Sequence, residues 1–441
     1  MKKYMIILII IFCSAQIYAV ELDLNKAIKL ALENNPQLLA AKEDMLSAKS
    51  NKWNSLTQFL PSLTTNAAYT IFDPHQTIGV GQTAENTKSY GFTVTQPLFQ
   101  GGKIFFNAQM QHNNYKIQKE NLRLVRLTTL TSVKEKYFNV LKNKEYLNIT
   151  KLDLDNSITN LHIAKTKYEA GLISKADYLQ IQSEKSSKEV DLLQVQNLYD
   201  TSIIDLANFL QIQEITKMSE INPKDYEDIM VVIQELDLEQ IKNKSQKIVG
   251  AVLQRNPSIK IAALSVNISK KSVYMAGGNF LPSLNLSYNR NYNKYNYMND
   301  FEEAGSLTLS ASMPLFPILD NTTSLSQANH AYKKSRHNYT NIQDATELTV
   351  KSNFINMVSN AKKVKTSKIA MQQAQETYNQ MQKRFSLGQL SANELLATQT
   401  MLLSTKNQYI SSFYNFLISQ SQLQQQLGYE NLEKLNNIIK Q

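Results

Sequence analysis

The chain has 441 residues and a formal net charge of +10, and its only cysteine is Cys13. Its lysines and arginines are scattered along the chain and form no clustered patch, which argues against a nucleic-acid partner. A lone thiol near the start excludes a disulfide framework or a thiolate metal site in the remainder.

Lys2 and Lys3, the apolar run from Met5 to Phe12, and Ile17-Tyr18-Ala19 as a cleavage site predict a secretory signal peptide over residues 1–19, with the mature chain starting near Val20. Phe12 is bulky where a lipoprotein signal wants a small residue, so the export signal is read as unlipidated. Beyond residue 19 no uninterrupted apolar run reaches the ~18 residues of a spanning helix. A membrane crossing by this chain would use strands.

The next feature is a doubled motif. "NNPQ" at Asn34–Gln37 and "FLPSL" at Phe59–Leu63 return as "RNPS" at Arg255–Ser258 and "FLPSL" at Phe280–Leu284, both 221 residues later. Each "FLPSL" is placed where a helix hands over to a strand, the proline ending helical geometry. Alternation follows. "SLTLSASMP" at Ser306–Pro314 sets Leu307, Leu309, Ala311 and Met313 against Ser306, Thr308, Ser310 and Ser312, and "SLNLSYN" from Ser283 alternates likewise. With weaker partners at Leu63–Phe72 and Tyr90–Pro97, each repeat is predicted to hold one pair of uncharged strands of ~10 residues, a length that suits a bilayer. The polar stretches Asp73–Ser89 and Arg290–Gly305 are predicted as exposed loops.

From Lys103 to Ala170 and from Ile318 to Leu387 the chain has neither glycine nor proline. Helices of this size, roughly 100 Å long at ~1.5 Å per residue, must lie against other long helices. Each ends in a lone glycine, Gly171 in "YEAGLIS" and Gly388 in "RFSLGQLS", with Ser174 or Ser391 as the next N-cap. Helical hairpins are therefore predicted, the returning arms reaching about Leu210 and Leu427. Leu395, Leu402, Tyr409, Phe416 and Leu423 recur every seven residues, a coiled-coil seam. In the first repeat Tyr178, Leu192, Tyr199 and Leu206 fill the matching places, with Lys185 as the exception.

The units are thus read as a first structural repeat over 20–217, a connecting segment over 218–247, a second repeat over 248–428 and a tail over 429–441. Four strands cannot close a barrel, so such a chain must oligomerise through its strands. An enzyme is not expected: the five histidines are scattered, and "QGGK" at Gln100–Lys103 lacks the rest of a phosphate loop. No cofactor or metal is expected either. A pore-less structural coiled-coil protein of the envelope is the reading from another class, and it leaves the strand pairs unexplained.

In the order and paired spacing of these motifs, with "TQPLFQGG" and "SMPLFPILD" at the strand ends, the chain resembles the TolC family of outer-membrane efflux proteins. The resemblance implies a mostly α fold with a membrane β-barrel: a homotrimer with a 12-stranded barrel in the outer membrane and a 12-helix tunnel across the periplasm. It implies the exit duct of a tripartite efflux pump or type I secretion system, passing drugs or secreted proteins, or alternatively metal ions. The implied partners are a periplasmic adaptor, an inner-membrane transporter and outer-membrane lipid.

For single residues the resemblance implies adaptor contacts at Gly171, Leu172 and Ser174 on one tip and Gly388, Leu390 and Ser391 on the other. It implies a periplasmic gate at Asp177, Glu394, Phe385 and Tyr168. Phe385 stands where a gate tyrosine is expected, Leu390 where a gate arginine can be, and Ala397 where a second acidic ring can be, so closure is expected to rely more on coiled-coil packing. A carboxylate ring at Asp177 or Glu394 would attract cations. Each acid equally fits a first-turn residue favoured by the helix dipole, and each tip glycine a plain C-cap, so both readings stay open.

Overall fold

A computed structural model describes residues 21–78, 82–313, 315–316, 318–430 and 436. The leader expected over 1–19, Pro314 and most of the tail lie outside the described residues. In chain order the elements are β1 (Glu21–Leu22), α1 (Leu24–Asn34), α2 (Pro36–Thr57), β2 (Ser62–Ile78), β3 (Gln82–Gln100), α3 (Lys103–Glu169), α4 (Lys175–Leu210) and β4 (Lys217–Met218). Then come α5 (Glu227–Gln234), α6 (Leu238–Arg255), α7 (Pro257–Gly277), β5 (Ser283–Tyr295), β6 (Glu302–Ser312), α8 (Ile318–Ser386) and α9 (Ala392–Gln426).

The repeated Asn-Pro has a local cause. Asn35 is the N-cap of α2, its side chain accepting from the Gln37 and Leu38 amides, and Asn256 caps α7 through the Ser258 amide. Proline follows each at the first helical position, where no amide is needed. "FLPSL" is the matching exit: α2 stops at Thr57, Pro61 follows, and β2 starts at Ser62, while Pro282 precedes β5 at Ser283. The glycines of "QGGK" make a strand-to-helix turn between β3 and α3. At Gly101 φ is +61°, and a Cβ there would come within 2.3 Å of the Gly278 carbonyl oxygen.

The strands run longer than the alternation indicated, which corrects the expected loops at 73–89 and 290–305. β2 and β3 stay paired out to Ile78 and Gln82, and β5 and β6 to Asn293 and Glu302. Polarity alone does not make a loop: an antiparallel ladder continues wherever backbone groups can pair, and where its faces meet water the side chains are free to be charged. Asp73, Glu85, Lys88, Arg290, Lys294, Glu302 and Glu303 all lie in strands, so the pairs are uncharged only near the helices.

The four long strands form one antiparallel sheet in the order β2-β3-β5-β6. Next to it the helices pack in the matching order α2-α3-α7-α8. Further from the sheet α3 pairs with α4 and α8 with α9 as two hairpins. Around mid-length the main core gathers Val133, Tyr137, Phe138, Phe354, Met357, Phe416, Ile233 and Ile248 from α3, α8, α9, α5 and α6. The Tyr137 hydroxyl lies 2.7 Å from the Ser219 carbonyl and 3.2 Å from that of Leu22, tying the β1–β4 ribbon to α3. A second core, toward the hairpin ends, is built on Ala164, Ile181, Tyr378, Phe385, Leu395 and Leu402.

Candidate functional site: the hairpin tips and the two-faced sheet

The two tips are built alike. Gly171 (φ +73°) and Gly388 (φ +80°) take the left-handed conformation that ends α3 and α8. The Leu172 amide returns to the Lys167 carbonyl at 2.8 Å and the Gln389 amide to that of Arg384 at 2.9 Å. A Cβ on either glycine would meet nothing within 4 Å, so within one chain these glycines act as C-caps.

Ser174 and Asp177 then form a capping box, the serine Oγ 2.7 Å from Oδ2 and accepting from the Asp177 amide at 3.1 Å. Ser391 and Glu394 repeat it at 2.7 and 3.3 Å. Those hydrogen bonds from Ser391 hold the Glu394 carboxyl below the usual carboxylate range. The structure thus brings Asp177 and Glu394 to matching first-turn positions, bound to their serines. The two tips are linked by Gln180, whose amide donates to Asn393.

The other expected residues divide. Leu172 is exposed, whereas Leu390 and its counterpart Ile173 pack against the tip core. The apolar residue that the second tip exposes is Leu387, which the sequence reading missed. Tyr168 stacks on Tyr178 at 5.3 Å. Phe385 is not at the surface of the chain: it is 1% exposed. The Lys167 ammonium sits 4.3 Å over its ring and donates to its carbonyl oxygen. Burial pushes that ammonium down from its ordinary value.

Above this contact lies a polar layer that the sequence reading did not find. Gln399 on α9 donates to Asp153 Oδ1 at 2.8 Å and to Ser157 at 2.7 Å, both on α3, and accepts from Asn160 at 3.0 Å. Asn160 also donates to the Tyr378 hydroxyl at 3.2 Å and accepts from Gln382 at 3.2 Å. Lys188 on α4 closes the layer, 3.4 Å from Asp153 and 3.2 Å from Glu184. Burial alone would lower the Lys188 ammonium, but Asp153 and then Glu184 outweigh it and hold it above its ordinary value. The inward line of α4 therefore runs through Ile181 and Lys188, while Lys185 pairs with Glu189 on the surface. The signal was present as Asp153, Asn160 and Lys167, seven apart on α3, a heptad stripe of polar residues.

The sheet is two-faced, and its register assigns every row. Leu63, Val94, Tyr288 and Leu307 are neighbours on one face, and Thr64, Thr93, Asn289 and Ser306 are neighbours on the other. The first face continues through Leu286 and Leu309, the second through Ser62, Thr95, Ser287 and Thr308. In a single chain Leu63, Leu307 and Leu309 are 66, 70 and 67% exposed, large apolar groups that water would not hold in that state. Near the helix end Leu98, Phe99, Leu315 and Phe316 add a further exposed apolar and aromatic rim. Among the described residues no group of His, Cys, Asp and Glu is arranged to hold a metal ion.

With this geometry in view, the profile of the outer membrane efflux protein family matches residues 27–210 and 248–429. The chain is 22% identical to the outer membrane protein TolC of Salmonella enteritidis, over 91% of this chain and 81% of that one. To TolC of Vibrio cholerae it is 21% identical, over 90% and 89%. Its fold superposes on the CmeC outer membrane channel of Campylobacter jejuni with a TM-score of 0.78 at 15% identity, covering 95% and 89%. On the outer membrane protein VceC of Vibrio cholerae the TM-score is 0.77 at 16% identity, covering 92% and 96%.

Proposed function

This chain belongs to the outer membrane efflux protein family, and from that premise we propose that three copies assemble into one passive duct across the outer membrane and periplasm. The observation that carries the proposal is the pair of open edges. β2 and β6 each have one unpaired side in a sheet with an apolar face. A sheet edge cannot face hydrocarbon, and small membrane barrels need about 8 strands. Edge β6 of one copy pairing with β2 of the next supplies the missing bonds, and three copies, the number the family resemblance implies, give 12 strands. The apolar face then meets lipid, and the hydroxyl and amide face lines the pore.

The helices carry the same argument downward. α2 and α8 flank the packed layer, and α2 leaves Leu39, Leu46 and Trp53 exposed at seven-residue spacing. A stripe at that period fits a neighbouring helix in a closed tunnel. The duct performs no chemistry; energy comes from an inner-membrane transporter and is coupled through a periplasmic adaptor at the tips. Leu172 and Leu387 supply apolar surface there, beside Gly171, Ser174, Gly388 and Ser391. Asp177 and Glu394 ring the narrow end and attract cations, and Tyr168 and Phe385 support closure from behind, Phe385 through its contact with Lys167. Residues 1–19 act as a removable, unlipidated export signal.

Planar-bilayer recording tests this reading. Purified protein is expected to give small, largely closed channels whose conductance is blocked by multivalent cations from the tip side. No conductance from well-inserted protein would overturn it.

A further inference from the structure

The lipid-side face of the sheet changes character along its length. Beyond the row of Leu63, Val94, Tyr288 and Leu307 lies Phe92 with Arg290, and then Tyr90 opposite Tyr292, their rings stacked at 4.9 Å. Rings of this kind mark the boundary between hydrocarbon and headgroups. One row further from the helices, on the same face, Lys88 of β3 is the direct register partner of Lys294 of β5. Like charges directly opposite in an antiparallel pair repel.

Among the described residues neither lysine has an ion pair. Lys88 lies 6.0 Å over the Tyr69 ring, while Lys294 donates to the Asn299 carbonyl and lies 6.0 Å from the Phe301 ring. Glu303, the outward carboxylate of the adjacent row, is taken by Arg290. The two lysines share one register row on this face, with Lys88 leaning over Tyr69 toward β2 and Lys294 toward Asn299 and Phe301 beside β6, and an anion seated between them draws both flexible ammoniums inward.

We propose that Lys88 and Lys294 form a binding site for the phosphate group of an anionic lipid in the outer leaflet. The inference rests on reading the sheet as the barrel wall. Phosphate oxygens accept from both ammoniums and turn a repulsive pair into a clamp, and Tyr69, Tyr90 and Phe301 pack against the rest of the headgroup. The lipid thereby seals the barrel at the level where the strands leave the membrane.

The test uses the full-length protein in phosphatidylcholine nanodiscs, with diphosphoryl lipid A, dephosphorylated lipid A and sodium phosphate as separate probes. Wild type is expected to bind diphosphoryl lipid A on the order of 30-fold more tightly than K88Q/K294Q, and to show no such preference for the dephosphorylated form. In phosphatidylcholine alone K294Q is expected to melt above wild type, because one half of the repulsion is gone. Equal binding of diphosphoryl lipid A by wild type and K88Q/K294Q would overturn the site. So would sodium phosphate at millimolar concentration reproducing the full stabilisation, since the ligand would then be a free anion. Conductance of both proteins is recorded in the same discs fused to bilayers: a wild type that never conducts overturns the channel reading and this site with it, whereas conduction with unchanged lipid binding overturns the site alone.

Discussion

Lys167 on α3 reaches across to Phe385 on α8, its ammonium 4.3 Å above the ring and bonded to the same residue's carbonyl. One contact thus joins the last turns of the two long helices at the end farthest from the sheet. Replacing Lys167 by Met keeps the stem and removes the charge, and such cation–π contacts are worth ~1–2 kcal/mol when desolvated. We expect K167M to loosen the tip: amides around 383–389 should exchange roughly tenfold faster, and the closed channel should flicker open more often.

The polar layer should behave as one coupled unit. Removing one partner of a buried pair strands the other, at about 3–5 kcal/mol. K188M takes away the ammonium 3.4 Å from Asp153 and leaves it the Gln399 amide as hydrogen-bond donor, so it should be strongly destabilising. K188M combined with D153L removes both charges and should recover most of that loss. Chemical denaturation of the four proteins of the cycle measures the coupling, and additive losses would show that Lys188 and Asp153 do not act together.

The tip acids separate by charge and by capping. E394Q and D177N keep a side-chain acceptor for the N-cap, so both hairpins should stay folded while cation block weakens. S174A should do the reverse, weakening its helix start by about 1 kcal/mol and leaving the charge in place. Because Ser391 holds the Glu394 carboxyl below the usual range, block should persist as pH falls through ordinary carboxylate values and fade only below them. Block that survives E394Q with D177N would place the cation site elsewhere.

A buried ammonium gives a pH signature. Lys134 donates to Gln424 at 2.7 Å, and burial pushes it down from 10.5 to about 8. Between those values the unfolded chain holds a proton that the folded chain lacks, so stability should rise as pH rises through that window. The full shift corresponds to about 3 kcal/mol. K134M, which also leaves Gln424 without its donor, should therefore stabilise the protein by about 2 kcal/mol at neutral pH. It should flatten most of the slope, while Lys142, Lys167 and Lys406, also lowered by burial, keep a shallow remainder.

The single tryptophan reports assembly. Trp53 is 59% exposed on α2 of the isolated chain. Its emission should shift to the blue on oligomerisation in detergent, and W53A should weaken association without unfolding the hairpins, whose cores lie elsewhere.

Much of this fold is legible in the sequence. The glycine- and proline-free runs marked α3 and α8 almost to the residue, because few other residues stop a helix. Ser306–Ser312 showed its two faces, whereas Asn35 and Asn256 stood out only as a repeated Asn-Pro, and their capping role came with the structure. Polarity misled at Lys88 and Arg290, where ladder bonds between backbones hold strands whatever the side chains. The polar layer was hidden for a related reason: Asp153, Asn160 and Lys167 look like a solvated stripe until four helices close around them. Phe385 could be aligned with a gate position, but only packing showed that it is buried beneath Lys167. The opposition of Lys88 and Lys294 depends on strand register, which pairs residues about 200 positions apart and has no local signature.

The mass of the detergent-solubilised protein by native mass spectrometry tests the central claim most directly. A particle of three chains that needs detergent throughout, and comes apart when the β2 and β6 edges are blocked by proline, is the expected result. A single chain, stable in detergent-free buffer with Leu307 and Leu309 shielded from solvent labelling, would contradict the account.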